Sequence, residues 1–191
     1  NHSQFRLFRT RRFRPFFFTQ ALGAFNDNLY KTGLLLYVTF VASQQSGELN
    51  SDLLVNLAAG LFILPFFLFS PMAGQLADKF EKSWLIRRIK LAEILIMLLG
   101  AAAFLAGSVW LMMLLLFAMG TQSAFFGPAK YAILPQHLKS EELVGGNALV
   151  EMGTFLAILA GTILSGILFE LPAGTYLIAG AVILCALLGY W

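Results

Sequence analysis

Long apolar runs separated by short polar connections dominate the chain from Pro15 to Trp191. About 20 residues rising roughly 1.5 Å each cross the hydrocarbon core of a bilayer. The pattern therefore predicts membrane-crossing helices at about 15–42, 53–77, 84–106, 109–128, 144–168 and 174–191. The expected fold class is an all-α membrane protein with six transmembrane helices. A basic segment, 1–14, precedes the six-helix membrane domain, 15–191.

The cations add an orientation, because Lys and Arg are retained on the cytoplasmic side of a membrane. Arg6, Arg9, Arg11, Arg12 and Arg14 precede the first helix, Lys79, Lys82, Arg87, Arg88 and Lys90 lie around the connection from helix 2 to 3, and Lys130 and Lys139 lie in that from 4 to 5. The alternate connections, 43–52, 107–108 and 169–173, hold no Lys or Arg. Twelve of the 13 cations thus fall on one side, which predicts an even helix count and a cytoplasmic N-terminus. The net charge of +3 is then a topology signal, and the basic N-terminus reads as a juxtamembrane anchor, with no nucleic-acid partner.

Composition agrees: 59% hydrophobic and 12% charged residues stand against roughly 45–50% and about 25% in soluble domains. The single cysteine, Cys185, lies in an apolar run and permits no disulfide within the chain. A chain that opens on Asn1 and stops at Trp191 inside an apolar run reads as part of a longer one, and its basic start runs into a segment too long for a cleavable signal.

Polar interruptions of the spans are the candidates for function. Asp27 lies twelve positions past Pro15, about 18 Å into a helix and near the bilayer midplane. A charge there costs ~3 kcal/mol on insertion scales, so such a group faces a partner or a watery pathway. Gln20, Gly23, Asp27 and Lys31 share one face of the helix, and Asp27 and Lys31 stand four apart with the acid first, the spacing of an intrahelical ion pair. Either the two neutralise each other, or they serve a polar ligand together with the flanking amides of Asn26 and Asn28. In helix 5, Gly153, Ala157, Gly161 and Ser165 form a small-residue stripe for close packing. Pro65 and Pro71 in helix 2 and Pro128 at the end of helix 4 are expected to bend or end their helices.

Beyond Pro128, Lys130 is placed where helix 4 meets the cytoplasm, within reach of a lipid phosphate. Asn147, Glu151 and Thr154 share a face of helix 5, Glu151 being a proton or headgroup site or, preferably, a partner for a cation on a neighbouring helix. Gln122, with Thr121 and Ser123, interrupts helix 4 and offers interhelical hydrogen bonds. Glu93 reads as a boundary residue just inside helix 3.

Residues 74–82 read Gly-Gln-Leu-Ala-Asp-Lys-Phe-Glu-Lys. This resembles the signature loop between helices 2 and 3 of the major facilitator superfamily, with Glu81 where a second glycine is usual. The resemblance implies that Gly74 lets helices approach and that Asp78, with Lys79, closes the cytoplasmic gate against the other half of the protein. It also implies that these six helices are two inverted three-helix repeats, the N-terminal half of a twelve-helix transporter whose C-terminal six-helix half lies elsewhere. Ala21-Leu22-Gly23 and Ala118-Met119-Gly120 hint at that repeat.

Three further segments narrow the resemblance: Gly23-Ala24-Phe25-Asn26-Asp27-Asn28, Gly127-Pro128-Ala129-Lys130-Tyr131-Ala132-Ile133-Leu134 and Asn147-Ala148-Leu149-Val150-Glu151. These look like the bacterial lysophospholipid transporter family, and the similarity runs from about Phe13 to Gly166. Some members are fused to acyltransferase and acyl-carrier-protein synthetase domains. The resemblance implies inward flipping of lysophospholipids, of the lysophosphatidylethanolamine class, across the inner membrane for reacylation, with Asp27 and Lys130 as headgroup or gating residues. Partners would be membrane lipids, the lysophospholipid, the C-terminal half and a fused or associated acyltransferase; no cofactor or metal is implied.

A proton-coupled drug exporter of the same superfamily would share the 2–3 loop and an acid in helix 1. The membrane module of an acyltransferase, with catalysis in a further domain, is the other alternative. Intramembrane proteolysis is disfavoured: His2 and His137 fall outside the predicted spans and no G-x-S-x-G occurs.

Overall fold

The computed structural model describes residues 4–42 and 50–191. Of the first predicted connection, 43–52, residues 43–49 lie outside this range, as does His2. Among the described residues the chain is all-helical: α1 (Arg14–Tyr37), α2 (Ser51–Lys79), α3 (Lys82–Ala106), α4 (Val109–His137), α5 (Leu143–Glu170) and α6 (Gly174–Tyr190). A π-helical turn, Val38–Ala42, extends α1, and short 3-10 turns cover Gln4–Arg9 and Ser140–Glu142.

Four helical stretches are long and apolar enough to cross a membrane: Ser51–Lys79, Lys82–Ala106, Val109–His137 and Ser140–Glu170. Polar residues interrupt α1, and α6 has 17 residues. Many outward positions of the bundle are apolar, Phe67 on α2, Trp110 on α4 and Phe155 on α5 among them, as expected of a bundle whose solvent is hydrocarbon.

Local chemistry sets the helix ends. Asn50 Oδ1 accepts from the backbone N–H groups of Asp52 and Leu53, both at 3.1 Å, and so caps α2. Glu81, standing where the loop signature has a glycine, caps α3 by accepting from Ser83 N (2.9 Å) and Trp84 N (2.6 Å). Those backbone donors hold its carboxyl below the usual glutamate range. Gly107, with φ of 65°, ends α3 in the left-handed conformation glycine adopts freely.

Helix α4 corrects the sequence reading, since it runs through Pro128 and Pro135 to His137 instead of ending near residue 128. A proline removes one backbone donor, whereas Ala129, Ile133 and Leu134 beyond Pro128 are buried against neighbouring helices, and that packing keeps the helix going.

Helix α1 lies between α5 and α6, α2 packs on α4, and α3 lies between α4 and α6. A core of Leu29, Tyr30, Leu34, Met97, Met112, Leu116 and Ile178 fills the space between them. Two close approaches fix the spacing. A Cβ added at Gly161 would strike the carbonyl oxygen of Phe25 and lie 3.3 Å from Leu29 N, so α5 meets the α1 backbone directly; one turn on, Ser165 Oγ donates to Leu29 O at 2.9 Å. A Cβ at Gly120 would strike the carbonyl oxygen of Phe62, so α4 meets α2 in the same way.

At the end of the bundle that holds the N-terminus, Arg12 Nη2 lies 2.7 Å from both carboxylate oxygens of Glu142. The Lys139 backbone N–H first, and the Arg12 guanidinium next, keep that carboxyl below its ordinary range.

These contacts make a direct prediction. Gly161→Leu should destabilise the bundle by about 2 kcal/mol or more through overpacking at α1, lowering its melting temperature in detergent. Gly166→Leu, where an added Cβ meets nothing within 4 Å, should change it little.

Candidate functional site

Successive residues of a helix are rotated by about 100°, so the three polar residues at the middle of α1 leave it in different directions. Asn26 Nδ2 donates to Val182 O of α6 at 3.1 Å. Asn28 Nδ2 donates to Ala24 O of its own helix at 2.8 Å. Asp27 turns toward α4, where its Oδ2 lies 2.5 Å from Ser123 Oγ. Both amide nitrogens thus donate to backbone carbonyls.

From Ser123 a chain of polar side chains continues into α3. Ser123 Oγ lies 3.2 Å from Gln122 Oε1, and Gln122 Nε2 donates to Glu93 Oε2 at 3.2 Å. Glu93 Oε2 in turn lies 2.5 Å from Lys90 Nζ. The Lys90 ammonium reaches Thr19 O at 3.5 Å and lies 5.9 Å from the centre of the Phe126 ring. It occupies a space left by two glycines: a Cβ on Gly23 of α1 would lie 3.3 Å from it, and one on Gly189 of α6 3.1 Å. Lys90 is 2% exposed and Glu93 1%.

Two readings are corrected here. Lys90 is a buried residue two turns inside α3 and does not belong to the 2–3 connection. Glu93 is its ion-pair partner rather than a boundary residue, because a carboxylate and an ammonium removed from water need one another.

Asp27 and Lys31 do not pair. Among the described residues the ion pairs are Arg12–Glu142, Lys90–Glu93 and Lys130–Glu151. Lys31 Nζ instead lies 5.0 Å from the centre of the Phe62 ring on α2, a cation–π contact. The Asp27 carboxyl group meets the hydroxyl on α4, and the Lys31 ammonium meets the aromatic face on α2.

Gln20, on the same stripe, holds α1 to α5: its Oε1 accepts from Thr154 Oγ1 at 2.9 Å, and its Nε2 donates to Val150 O at 3.3 Å. Among the described residues, the buried side-chain atoms left without a partner are Asn26 Oδ1, Asp27 Oδ1 and Glu93 Oε1. A groove of about 300 Å³ between α3 and α4, lined by Ile89, Ala92, Ile96, Ala118, Thr121 and Gln122, opens beside this chain.

A second polar cluster joins α4 to α5. Lys130 Nζ lies 3.3 Å from Glu151 Oε1 and 4.6 Å from the centre of the Tyr131 ring, and the Tyr131 hydroxyl donates to the same carboxylate oxygen. Lys130 is 9% exposed and sits within the continuous α4, not after a break at Pro128. Asn147, expected beside Glu151, is exposed.

Gly74, Asp78 and Lys79 end α2, well apart from both clusters in sequence. Asp78 and Lys79 are exposed, and Lys79 Nζ lies 5.8 Å from the Phe80 ring centre. Among the described residues, a Cβ on Gly74 would meet nothing within 4 Å. Sequence reasoning missed the joining of Lys90, Glu93, Gln122 and Ser123. One sign was available: Lys90 and Glu93 stand three apart, on one face of an apolar helix.

The family model of the Major Facilitator Superfamily matches residues 16–191. The chain is 32% identical over 154 residues to the lysophospholipid transporter LplT of Serratia proteamaculans, an alignment covering 79% of this chain and 35% of that protein. It is 30% identical over 161 residues to LplT of Yersinia enterocolitica, covering 83% of this chain and 36% of the relative. The chain therefore spans about a third of the length of the curated relatives it matches. No solved structure matches it. Its apolar helices and the family match make it a multi-pass membrane protein. The chain belongs to the Major Facilitator Superfamily.

Proposed function

We propose that this chain is the N-terminal six-helix half of a transporter that flips lysophospholipids, of the lysophosphatidylethanolamine class, inward across a bacterial inner membrane by alternating access. The observation that carries the transport reading is the buried polar chain from Asp27 through Ser123, Gln122 and Glu93 to Lys90. Apolar side chains would pack the bundle without the insertion cost of charge, so the polar groups point to a polar cargo or a coupling ion. The substrate rests on the likeness to lysophospholipid transporters and on Lys130, an ammonium suited to a lipid phosphate. Glu151 holds that ammonium at 3.3 Å until a headgroup displaces it.

All six helices cross the membrane in this reading, as two inverted repeats. The packing supports it: α1 against α5 and α6 is the counterpart of α4 against α2 and α3, as a pseudo-two-fold axis in the membrane plane requires. With Lys31 and Lys90 inside the bundle, eleven of the 13 cations still lie at one end of the helices, which supports a cytoplasmic N-terminus. Asp78, exposed at that end, and Gly74 are free to meet a C-terminal six-helix half. An associated acyltransferase or acyl-carrier-protein synthetase would consume the flipped lipid.

Three outcomes test this. In the full-length protein, Asp27→Asn should abolish lysophosphatidylethanolamine uptake by spheroplasts at unchanged membrane insertion. Normal uptake would remove Asp27 from transport, and efflux of a cationic drug in place of lipid uptake would mark an exporter. Lys130→Met should raise the KM for lysophosphatidylethanolamine about tenfold, the equivalent of ~1.5 kcal/mol for a charge-assisted bond, while Glu151→Gln, which frees the ammonium, should lower it; equal effects of both would make the pair structural. Cysteine at Pro172 should react with an impermeant thiol reagent from outside intact cells and cysteine at Lys139 should not, the reverse pattern overturning the topology.

A further inference from the structure

Ser123 stands at a junction with one hydrogen and two acceptors. Its Oγ is 2.5 Å from Asp27 Oδ2 and 3.2 Å from Gln122 Oε1, and a hydroxyl has a single hydrogen to give. The amide of Gln122 is fixed from its far side. Its Nε2 donates to Glu93 Oε2, the oxygen that Lys90 holds as a carboxylate; turning the amide round would set oxygen against oxygen. Gln122 Oε1 therefore faces Ser123 and needs its hydrogen, and an ionised Asp27 needs the same one.

Both acceptors are satisfied only when Asp27 carries a proton. Asp27 then donates to Ser123 Oγ, Ser123 donates to Gln122 Oε1, and Gln122 donates to Glu93. Every bond runs in one direction, from Asp27 to the Lys90–Glu93 pair, and the buried chain is neutral, with one ammonium against one carboxylate. The unpartnered Asp27 Oδ1 agrees: burying a carbonyl oxygen without a donor costs less than burying a carboxylate oxygen.

We propose that Asp27 is a proton-binding site of the transport cycle, occupied in this conformation, whose state is relayed through Ser123 and Gln122 to the Lys90–Glu93 pair. Of the charged groups around Asp27, Glu93 and Lys90 come from α3 and Lys31 from α1 itself, while α4 supplies the uncharged Ser123. From α6 the Cys185 thiol lies within electrostatic range of Glu93, and α5 presents Thr154 and Ser165 to α1. When the carboxylic acid gives its proton to water, leaving a carboxylate and a hydronium ion, Ser123 turns its hydrogen to Asp27. Gln122 Oε1 loses its donor, and the hydrogen-bond chain is broken within α4, between Ser123 and Gln122, while the bonds to Asp27 and Glu93 remain. Coupling to transport rests on the transporter reading above; the proton on Asp27 does not.

Infrared difference spectroscopy of the full-length protein in nanodiscs at neutral pH decides the site. The carbonyl stretch of a buried carboxylic acid should be present, be lost in Asp27→Asn and shift in Ser123→Ala. Asparagine keeps the size of the acid and a donor for Ser123, so the first variant folds. Absence of the band, or its survival unchanged in Asp27→Asn, overturns the proposal. In proteoliposomes containing a pH-sensitive dye, lysophosphatidylethanolamine uptake should move protons in the wild type, and uptake without proton movement, or uptake that follows sodium instead, overturns the coupling. No uptake at all would remove the transporter reading and the coupling with it, while the infrared band still reads whether Asp27 holds the proton.

Discussion

The pairing of Lys90 with Glu93 is the constraint on which the centre of this bundle depends. Removing one member of a buried ion pair costs about 3–5 kcal/mol, because the other is left as an uncompensated charge. Here the pair is contained within one helix, at positions three apart, so α3 carries its own neutralisation. The neighbouring helices provide the space. Gly23 on α1 and Gly189 on α6 leave room for the ammonium, Thr19 O approaches it, and Gln122 on α4 donates to the carboxylate. Four helices are thereby referred to one pair of side chains.

Glycine sets the distances at which this can happen. Where α5 crosses α1 at Gly161, and where α4 crosses α2 at Gly120, backbone meets backbone without an intervening side chain. Hydrocarbon gives apolar helices no hydrophobic reason to associate, so close van der Waals packing and a few interhelical hydrogen bonds hold them. Ser165 to Leu29 O, Tyr30 to Met112 O and Asn26 to Val182 O are bonds of this kind, each from a side chain to a neighbouring backbone. Such bonds locate the helices, and they account for polar residues that a reading from sequence assigns to a ligand.

The two polar clusters differ in how tightly they are closed. Lys90 and Glu93 are sealed among four helices, whereas Glu151, partner of Lys130, has its side chain 41% exposed. A pair open to solvent exchanges partners readily. The outer cluster is suited to meeting a charged headgroup and the inner one to holding a fixed arrangement around Asp27.

The sequence by itself determined the helices and the family. Apolar runs of membrane length are local features, and local chemistry decides them. It also determined that Asp27 is exceptional, since a charge in an apolar run is visible without coordinates. What the sequence left open was the choice among partners. Asp27 has Lys31 one turn away on its own helix, yet its bond is to Ser123, ninety-six residues on. Lys130 meets Glu151 across two helices, and α4 continues past Pro128 because of what packs there. Only the tertiary structure decided these, because a side chain within reach of several partners takes the one that neighbouring helices bring closest, and their placement depends on contacts made far along the chain.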